Sequence, residues 1–151
     1  LGICLGLQLS VVEFARNVCG VTDATSTEFE KPGTPFIDYL PDQNEKIDKG
    51  GTLRLGTQEA TVLEGSLIHQ LYGSTTISDR PRHRYEVCPD KHEILRSHGL
   101  VLSGTSHEGR LIEYIENPAC KYFVATQAHP EFKSRPGKPH PMFDGLIAAC
   151  I

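Results

Sequence analysis

Cys4, His129 and Glu131 are the residue types from which a thiol nucleophile, its proton carrier and an orienting carboxylate can be built, and each stands in a suitable context. Cys4 lies in Leu1-Gly2-Ile3-Cys4-Leu5-Gly6-Leu7-Gln8, with glycines two residues before and two after it. An apolar run, a small-residue turn and a helical pattern in that order read as a nucleophile elbow, in which strand, sharp turn and helix meet at the reactive side chain. A side chain at Gly2 or Gly6 is expected to crowd the strained turn. The helix that begins just past the thiol offers unpaired N–H groups and its positive dipole end, which favour thiolate over thiol. The competing reading is a buried structural cysteine beside an ordinary strand-to-helix turn.

The partner constellation is Thr126-Gln127-Ala128-His129-Pro130-Glu131-Phe132, at the end of the apolar run Tyr122 to Thr126. In an extended segment residues i and i+2 project the same way, so His129 and Glu131 are expected side by side, with Pro130 stiffening the backbone between them. A carboxylate that accepts from one ring nitrogen fixes the imidazole tautomer and leaves the other nitrogen free to exchange a proton with a thiol. Together the two stretches make a Cys4-His129-Glu131 triad. His69, His92, His98, His107 and His140 lack such a setting and are read as surface residues.

The elements that must position these groups follow from periodicity. Leu7, Val11, Phe14, Ala15 and Val18 recur at helical spacing, and Gly20 is placed to end that helix. Thr22 to Thr27 and Phe36 to Leu40 read as surface segments, the second a short strand, and Pro41 to Gly51 as a charged connection. Thr52 to Gly56 and Glu59 to Leu63 read as two strands joined by a tight turn, and Ser66 to Tyr72 as a brief helix stopped by Gly73. Arg84 to Val87 is a further strand, and Asp90 is placed to cap a helix that runs to about His98. Leu100 to Ser103 and Leu111 to Ile115 suggest a hairpin around Glu108-Gly109, Tyr122 to Thr126 a buried strand, and Met142 to Ile151 a packed helix. Strands alternating with helices define an α/β domain with a mixed, mostly parallel sheet in a three-layer arrangement.

Composition bounds the rest. With 151 residues, 38% hydrophobic and 23% charged, the chain fits one globular domain. A net charge of -4 argues against a nucleic acid or an anionic membrane as partner. No apolar stretch approaches the roughly 20 residues that span a bilayer. The five cysteines are odd in number and widely spaced, which fits a reducing, cytoplasmic setting better than a disulfide framework. Cys88 and His92 have a metal-compatible spacing without a second ligand pair, so no metal site is expected. The chain opens on Leu1, within its expected first strand, and is read as part of a longer polypeptide.

The two constellations together resemble the class I, triad-type glutamine amidotransferases. Four further matches, Ser26-Thr27-Glu28-Phe29, the segment Gly50 to Gly56, Arg82-His83-Arg84-Tyr85-Glu86-Val87 and the extension of His129-Pro130-Glu131 through Phe132-Lys133-Ser134-Arg135-Pro136, are similar in order to the amidotransferase domain of the CTP synthase family. Thr25 and Pro81 depart from the family's usual asparagine and histidine. The resemblance implies that residues 1–151 form a partial type 1 glutamine amidotransferase domain that starts at the elbow and lacks its first strands. A glycine-rich loop carrying a second oxyanion N–H, and a synthetase domain, lie outside it, so the piece is expected to be inactive alone.

The same resemblance implies glutamine as substrate. Cys4 attacks its side-chain amide, the Leu5 backbone N–H holds the oxyanion, and Gln8, Glu28 and Arg84 bind the amino acid, Glu28 suiting an ammonium and Arg84 a carboxylate. No cofactor is implied in this domain. ATP and magnesium belong to the synthetase domain, where ammonia would aminate UTP, with GTP as activator and a homotetramer as the assembly. The alternatives are another triad amidotransferase and a non-catalytic scaffold of the same fold, the latter disfavoured by an intact triad.

Overall fold

A computed structural model describes residues 1–29, 32–39 and 56–151. Along the chain these form β1 (Gly2–Ile3), α1 (Leu5–Asn17), β2 (Ala24–Ser26), β3 (Thr34–Tyr39), β4 (Gln58–Val62), α2 (Leu67–Tyr72), β5 (Thr76–Asp79) and β6 (Tyr85–Val87). A 3-10 turn (Pro89–Lys91) then leads into α3 (His92–Ser97), β7 (Val101–Ser106), β8 (Leu111–Glu116) and β9 (Val124–Thr126). A second 3-10 turn (Pro130–Phe132) and α4 (Pro141–Cys150) complete the order. The predicted strand over 52–56 falls almost wholly outside the described residues.

The larger sheet has the order β1-β9-β8-β7-β4-β5, and β2, β3 and β6 form a smaller one. The α/β class with a mixed sheet is as expected, but its strands are not mostly parallel. Parallel pairing is confined to β1 with β9 and β2 with β3; every other pairing among the described residues is antiparallel. The connections explain this. A parallel pair needs a long crossover, whereas β7 and β8 are joined by the short turn His107 to Gly109, all three residues at positive φ, which reverses the chain directly.

Two apolar clusters lie against the larger sheet. One gathers Leu7, Val11, Phe14 and Ala15 of α1 with Leu95, Ile112, Ile115 and Ala125; the other gathers Ile68 of α2 and Met142 of α4 with Ala60, Val62, Ile77, Tyr114 and Val124. Val124 and its neighbour Ala125 join opposite clusters, the alternation of a strand covered on both faces. Each fully buried Leu, Ile or Phe contributes about 1.5–3 kcal/mol, so the packing of α1 fixes where its first turn, and with it the elbow, can sit.

Several local expectations change. Ala24, Thr25 and Ser26 are buried in β2 and are not a surface segment, because β3 pairs with them and α1 covers them. Asp90 is not a helix cap: Pro89 opens a 3-10 turn after Cys88, and α3 starts only at His92. Helix α4 forms, yet only Met142 of it is buried. His92 and His140 are buried, not surface residues, His140 because it accepts from the Met142 backbone N–H at the start of α4 and packs against Tyr72. No helix among the described residues is long and apolar enough to cross a membrane.

Candidate active site

Cys4 stands between β1 and α1 with φ 51° and ψ -105°. A left-handed φ on a residue with a side chain costs of order 1–3 kcal/mol and persists only where the surroundings enforce it. They do so here through parallel pairing, Gly2 opposite Ala125 and Ile3 opposite Thr126, and through a 2.7 Å hydrogen bond from the Cys4 N–H to the Thr126 carbonyl. The carbonyl of Cys4 in turn accepts from the Leu7 N–H at 3.0 Å and opens α1.

The two flanking glycines are not equivalent. A Cβ on Gly2 would lie 2.7 Å from the Ala125 Cβ and 3.0 Å from the Gly6 carbonyl carbon, a contact no small shift relieves. A Cβ on Gly6 meets nothing within 4 Å, so the expected crowding on that side is absent. Gly2→Ala is therefore expected to lower the thermal unfolding midpoint and displace the thiol, whereas Gly6→Ala keeps the site and, by helix propensity, gains up to about 1 kcal/mol. Thermal unfolding and the rate of iodoacetamide labelling at Cys4 check both.

His129 follows β9 by three residues and is anchored by its N–H to the Arg80 carbonyl at 3.1 Å. Its Nδ1 lies 2.6 Å from Glu131 Oε1. The adjacency is as expected but the route differs. Pro130–Phe132 is a 3-10 turn, not an extended segment, and it curls the carboxylate back to the ring. The same turn stacks Phe132 on the imidazole, ring centres 5.1 Å apart, and the Arg80 guanidinium lies over the Phe132 ring at 5.9 Å. With Nδ1 held by the carboxylate and the ring plane fixed, Nε2 is the nitrogen left to exchange protons.

Cys4 and His129 line one cleft of about 500 Å³, together with Leu5, Gln8, Glu28, Arg84, Tyr85 and the Arg82-His83 pair. Every substrate-binding residue inferred from the sequence thus faces the same space as the nucleophile. Glu28 and Arg84 are exposed there and offer one charge of each sign, the complement of a zwitterionic amino acid. Gln8 is buried, and both hydrogens of its amide are committed, one to the Tyr85 carbonyl at 3.0 Å and one to Gln127 Oε1 at 3.1 Å. What Gln8 retains is its carbonyl oxygen, an acceptor suited to an ammonium.

Burial pushes the Cys4 thiol above its ordinary pKa. A hydrogen bond from the Leu5 backbone N–H works the other way, and the carboxylates of Glu131, Glu28 and Glu86 add to the rise. The helix-terminus effect is present in the Leu5 contact, but desolvation outweighs it, so the resting group is the thiol and not the thiolate expected from the dipole alone. Its sulfur lies 3.8 Å from the Arg82 carbonyl. A thiol in this state needs a neighbouring base before it can act as a nucleophile, and His129 lines the same cleft.

Sequence reasoning missed Gln127. Fully buried, it donates from Nε2 to the Cys4 carbonyl at 3.0 Å and accepts from Gln8, so one side chain ties the elbow to a residue of the binding cleft. Its signal was a polar residue directly after a continuous apolar strand. The buried pair His83 and Glu86, Nε2 to Oε2 3.1 Å, was also missed and stiffens the segment that carries Arg82 and Arg84.

A three-layered α/β frame with a strained cysteine before a helix, and a His-Pro-Glu turn after the neighbouring parallel strand, is the arrangement of a thiol amidotransferase. Residues 1–149 match the family described as glutamine amidotransferase class-I, and the chain belongs to that family. Within it, the chain is 58% identical over its whole length to a CTP synthase of Methanocaldococcus jannaschii and 50% identical over 99% of its length to one of Staphylococcus aureus. It spans 28% of the length of each. The solved glutaminase domain of a Trypanosoma brucei CTP synthase with bound acivicin superposes with a TM-score of 0.88 at 37% identity, covering 98% of this chain and 58% of that one.

Proposed function

We propose that this chain is the glutamine-hydrolysing part of a CTP synthase. What carries the reading is the union of a strained Cys4 and a Glu131-held His129 in one cleft that also holds an exposed carboxylate and an exposed guanidinium. The thiol proton passes to His129 Nε2, and Sγ attacks the side-chain carbonyl carbon of glutamine. The Leu5 backbone N–H faces the developing oxyanion. Collapse of the tetrahedral species breaks the C–N bond, with His129 giving its proton to the departing nitrogen, so ammonia leaves and a glutamyl thioester remains. His129 then deprotonates water, which attacks the thioester and releases glutamate and the thiol. Glu131 holds the ring in place throughout, Arg84 pairs with the substrate carboxylate, and Glu28 with Gln8 receives its ammonium.

Ammonia formed here serves the ATP- and magnesium-dependent amination of UTP to CTP in a synthetase domain of the same polypeptide, with GTP as activator, a homotetramer as the assembly and the cytoplasm as location. The identity to CTP synthases along the whole chain supports this larger reading. Magnesium and the nucleotides are assigned to that domain on the likeness to CTP synthases alone.

Steady-state glutamine hydrolysis by the full-length polypeptide tests the site. Removing a charged hydrogen-bond partner costs about 1.5–3 kcal/mol, so Arg84→Ala is expected to raise KM for glutamine roughly ten- to a hundredfold with a smaller effect on kcat. Acivicin, bound by the Trypanosoma brucei domain, is expected to protect Cys4 from iodoacetamide. An unchanged KM in the Arg84 variant would remove that residue from the substrate site, and failure of acivicin to protect would argue against a glutamine cleft.

A further inference from the structure

A second cleft, of about 370 Å³, lies between β5, at the edge of the larger sheet, and the segment that follows the triad. Its lining includes Asp79, Lys133, Arg135, Lys138 and the hydroxyl-bearing Thr76 and Ser78. We propose that this cleft binds the phosphate group of a small molecule.

The first argument is charge. Three cations face one carboxylate, and with His140 neutral this leaves a surplus of two positive charges. The carboxylate is turned to internal work. Asp79 Oδ2 accepts from the phenols of Tyr72 and Tyr114 at 2.7 Å each and lies 3.4 Å from His140 Nε2, while Oδ1 lies 3.5 Å from Lys133 Nζ. It therefore offsets Lys133 and leaves Arg135 and Lys138, which form no ion pair among the described residues, without a counter-charge.

The second argument is geometry. Arg135 and Lys138 are directly opposed across a tight turn. The Arg135 N–H donates to the Lys138 carbonyl at 3.2 Å, the Lys138 N–H donates to the Arg135 carbonyl at 2.9 Å, and Pro136 with Gly137, the latter at φ 76°, makes the corner. Residues that exchange both backbone hydrogen bonds carry their side chains on the same face, and like charges in that position repel. The turn sets both cationic side chains on one face, and both line the cleft. A single dianion answers that repulsion: the guanidinium supplies a planar fork, the ammonium a point charge, and a phosphate monoester carries close to two negative charges at neutral pH. Lys133 is itself fixed, its Nζ donating to the Ser78 carbonyl of the edge strand, so the third cation is already in place before a ligand arrives.

The test is calorimetric titration of the full-length polypeptide with inorganic phosphate and with glycerol 3-phosphate, at ionic strength held constant with chloride. Wild type is compared with the double variant Arg135→Ala, Lys138→Ala and with Lys121→Ala, which removes an exposed cation elsewhere. Wild type and the Lys121 variant are expected to bind alike, and the double variant at least about tenfold more weakly. Thermal unfolding gives a second readout. Phosphate raises the wild-type midpoint by more than that of the double variant, and in phosphate-free buffer the double variant melts no lower than wild type. Tighter binding of glycerol 3-phosphate identifies a phosphorylated metabolite as ligand, and equal binding identifies free phosphate. Equal affinity in wild type and double variant, equal loss in the Lys121 variant, or no binding to wild type overturns the proposal. Glutamine hydrolysis without phosphate is expected to be unchanged in the double variant, so the outcome is separable from that of the proposed glutaminase reaction.

Discussion

Cys4→Ala is expected to lower glutamine hydrolysis by about four orders of magnitude or more while leaving the unfolding midpoint near that of wild type. Alanine keeps the Cβ and hence the same φ 51° backbone, the bond to the Thr126 carbonyl and the packing of α1, so only the nucleophile is lost. In the full-length polypeptide, amination of UTP supplied with free ammonia is expected to persist in the same variant. Loss of both rates would mean that the substitution had acted through folding, and retention of glutamine hydrolysis would remove Cys4 from the mechanism. The pH dependence of wild type has a definite sign. Because burial and three carboxylates raise the thiol's pKa, iodoacetamide labelling at Cys4 should climb with pH through a range above that of an ordinary cysteine.

The largest effect on stability is expected at Asp79. Its carboxylate, 5% exposed, binds two phenols and lies within ion-pair distance of His140 and Lys133. Asp79→Ala strands buried donors on both tyrosines and removes the counter-charge of Lys133, a loss of about 3–5 kcal/mol by analogy with breaking other buried charged networks. Asp79→Asn keeps one acceptor oxygen and should cost less. Burial works against ionisation of this carboxyl, but hydrogen bonds from His140, Tyr72 and Tyr114 outweigh it and hold its pKa below the usual value. A depressed folded-state pKa stabilises the fold above the unfolded-state value and ceases to do so as pH falls through the folded one. Wild type should therefore lose part of its stability on strong acidification that Asp79→Ala has already lost, and urea unfolding at pH 7 and pH 3 measures the difference.

The chemistry was more legible than its scaffold. Gly-x-Cys-x-Gly and His-Pro-Glu are local signals whose residues act within a few positions of one another, so the elbow and the imidazole-carboxylate pair could be read directly. Strand β5 could not. Thr76-Ile77-Ser78-Asp79 carries no apolar run, and it is a strand because it pairs with β4 and because Asp79 is satisfied by Tyr72, Tyr114 and His140 from elsewhere in the chain. Strand β2 was obscured in the same way, as a polar triplet buried by its neighbours. Gln127 escaped because its role depends on two partners more than a hundred residues away. Strand direction is not legible in the same way, since alternating strands and helices suggest crossovers, while most neighbours in this sheet are joined as antiparallel pairs.

The register of β1 on β9 also governs when the catalytic centre comes into being during synthesis. The strand that presents the thiol has its partner at Val124–Thr126, and the imidazole comes later still. Until that stretch has left the ribosome, Cys4 has no backbone partner to hold its strained conformation and no base to take its proton. Contacts so distant in sequence form slowly and late. On the proposed mechanism the thiol is therefore made first and armed last, and a nascent chain stalled before residue 124 is expected to be unable to consume glutamine.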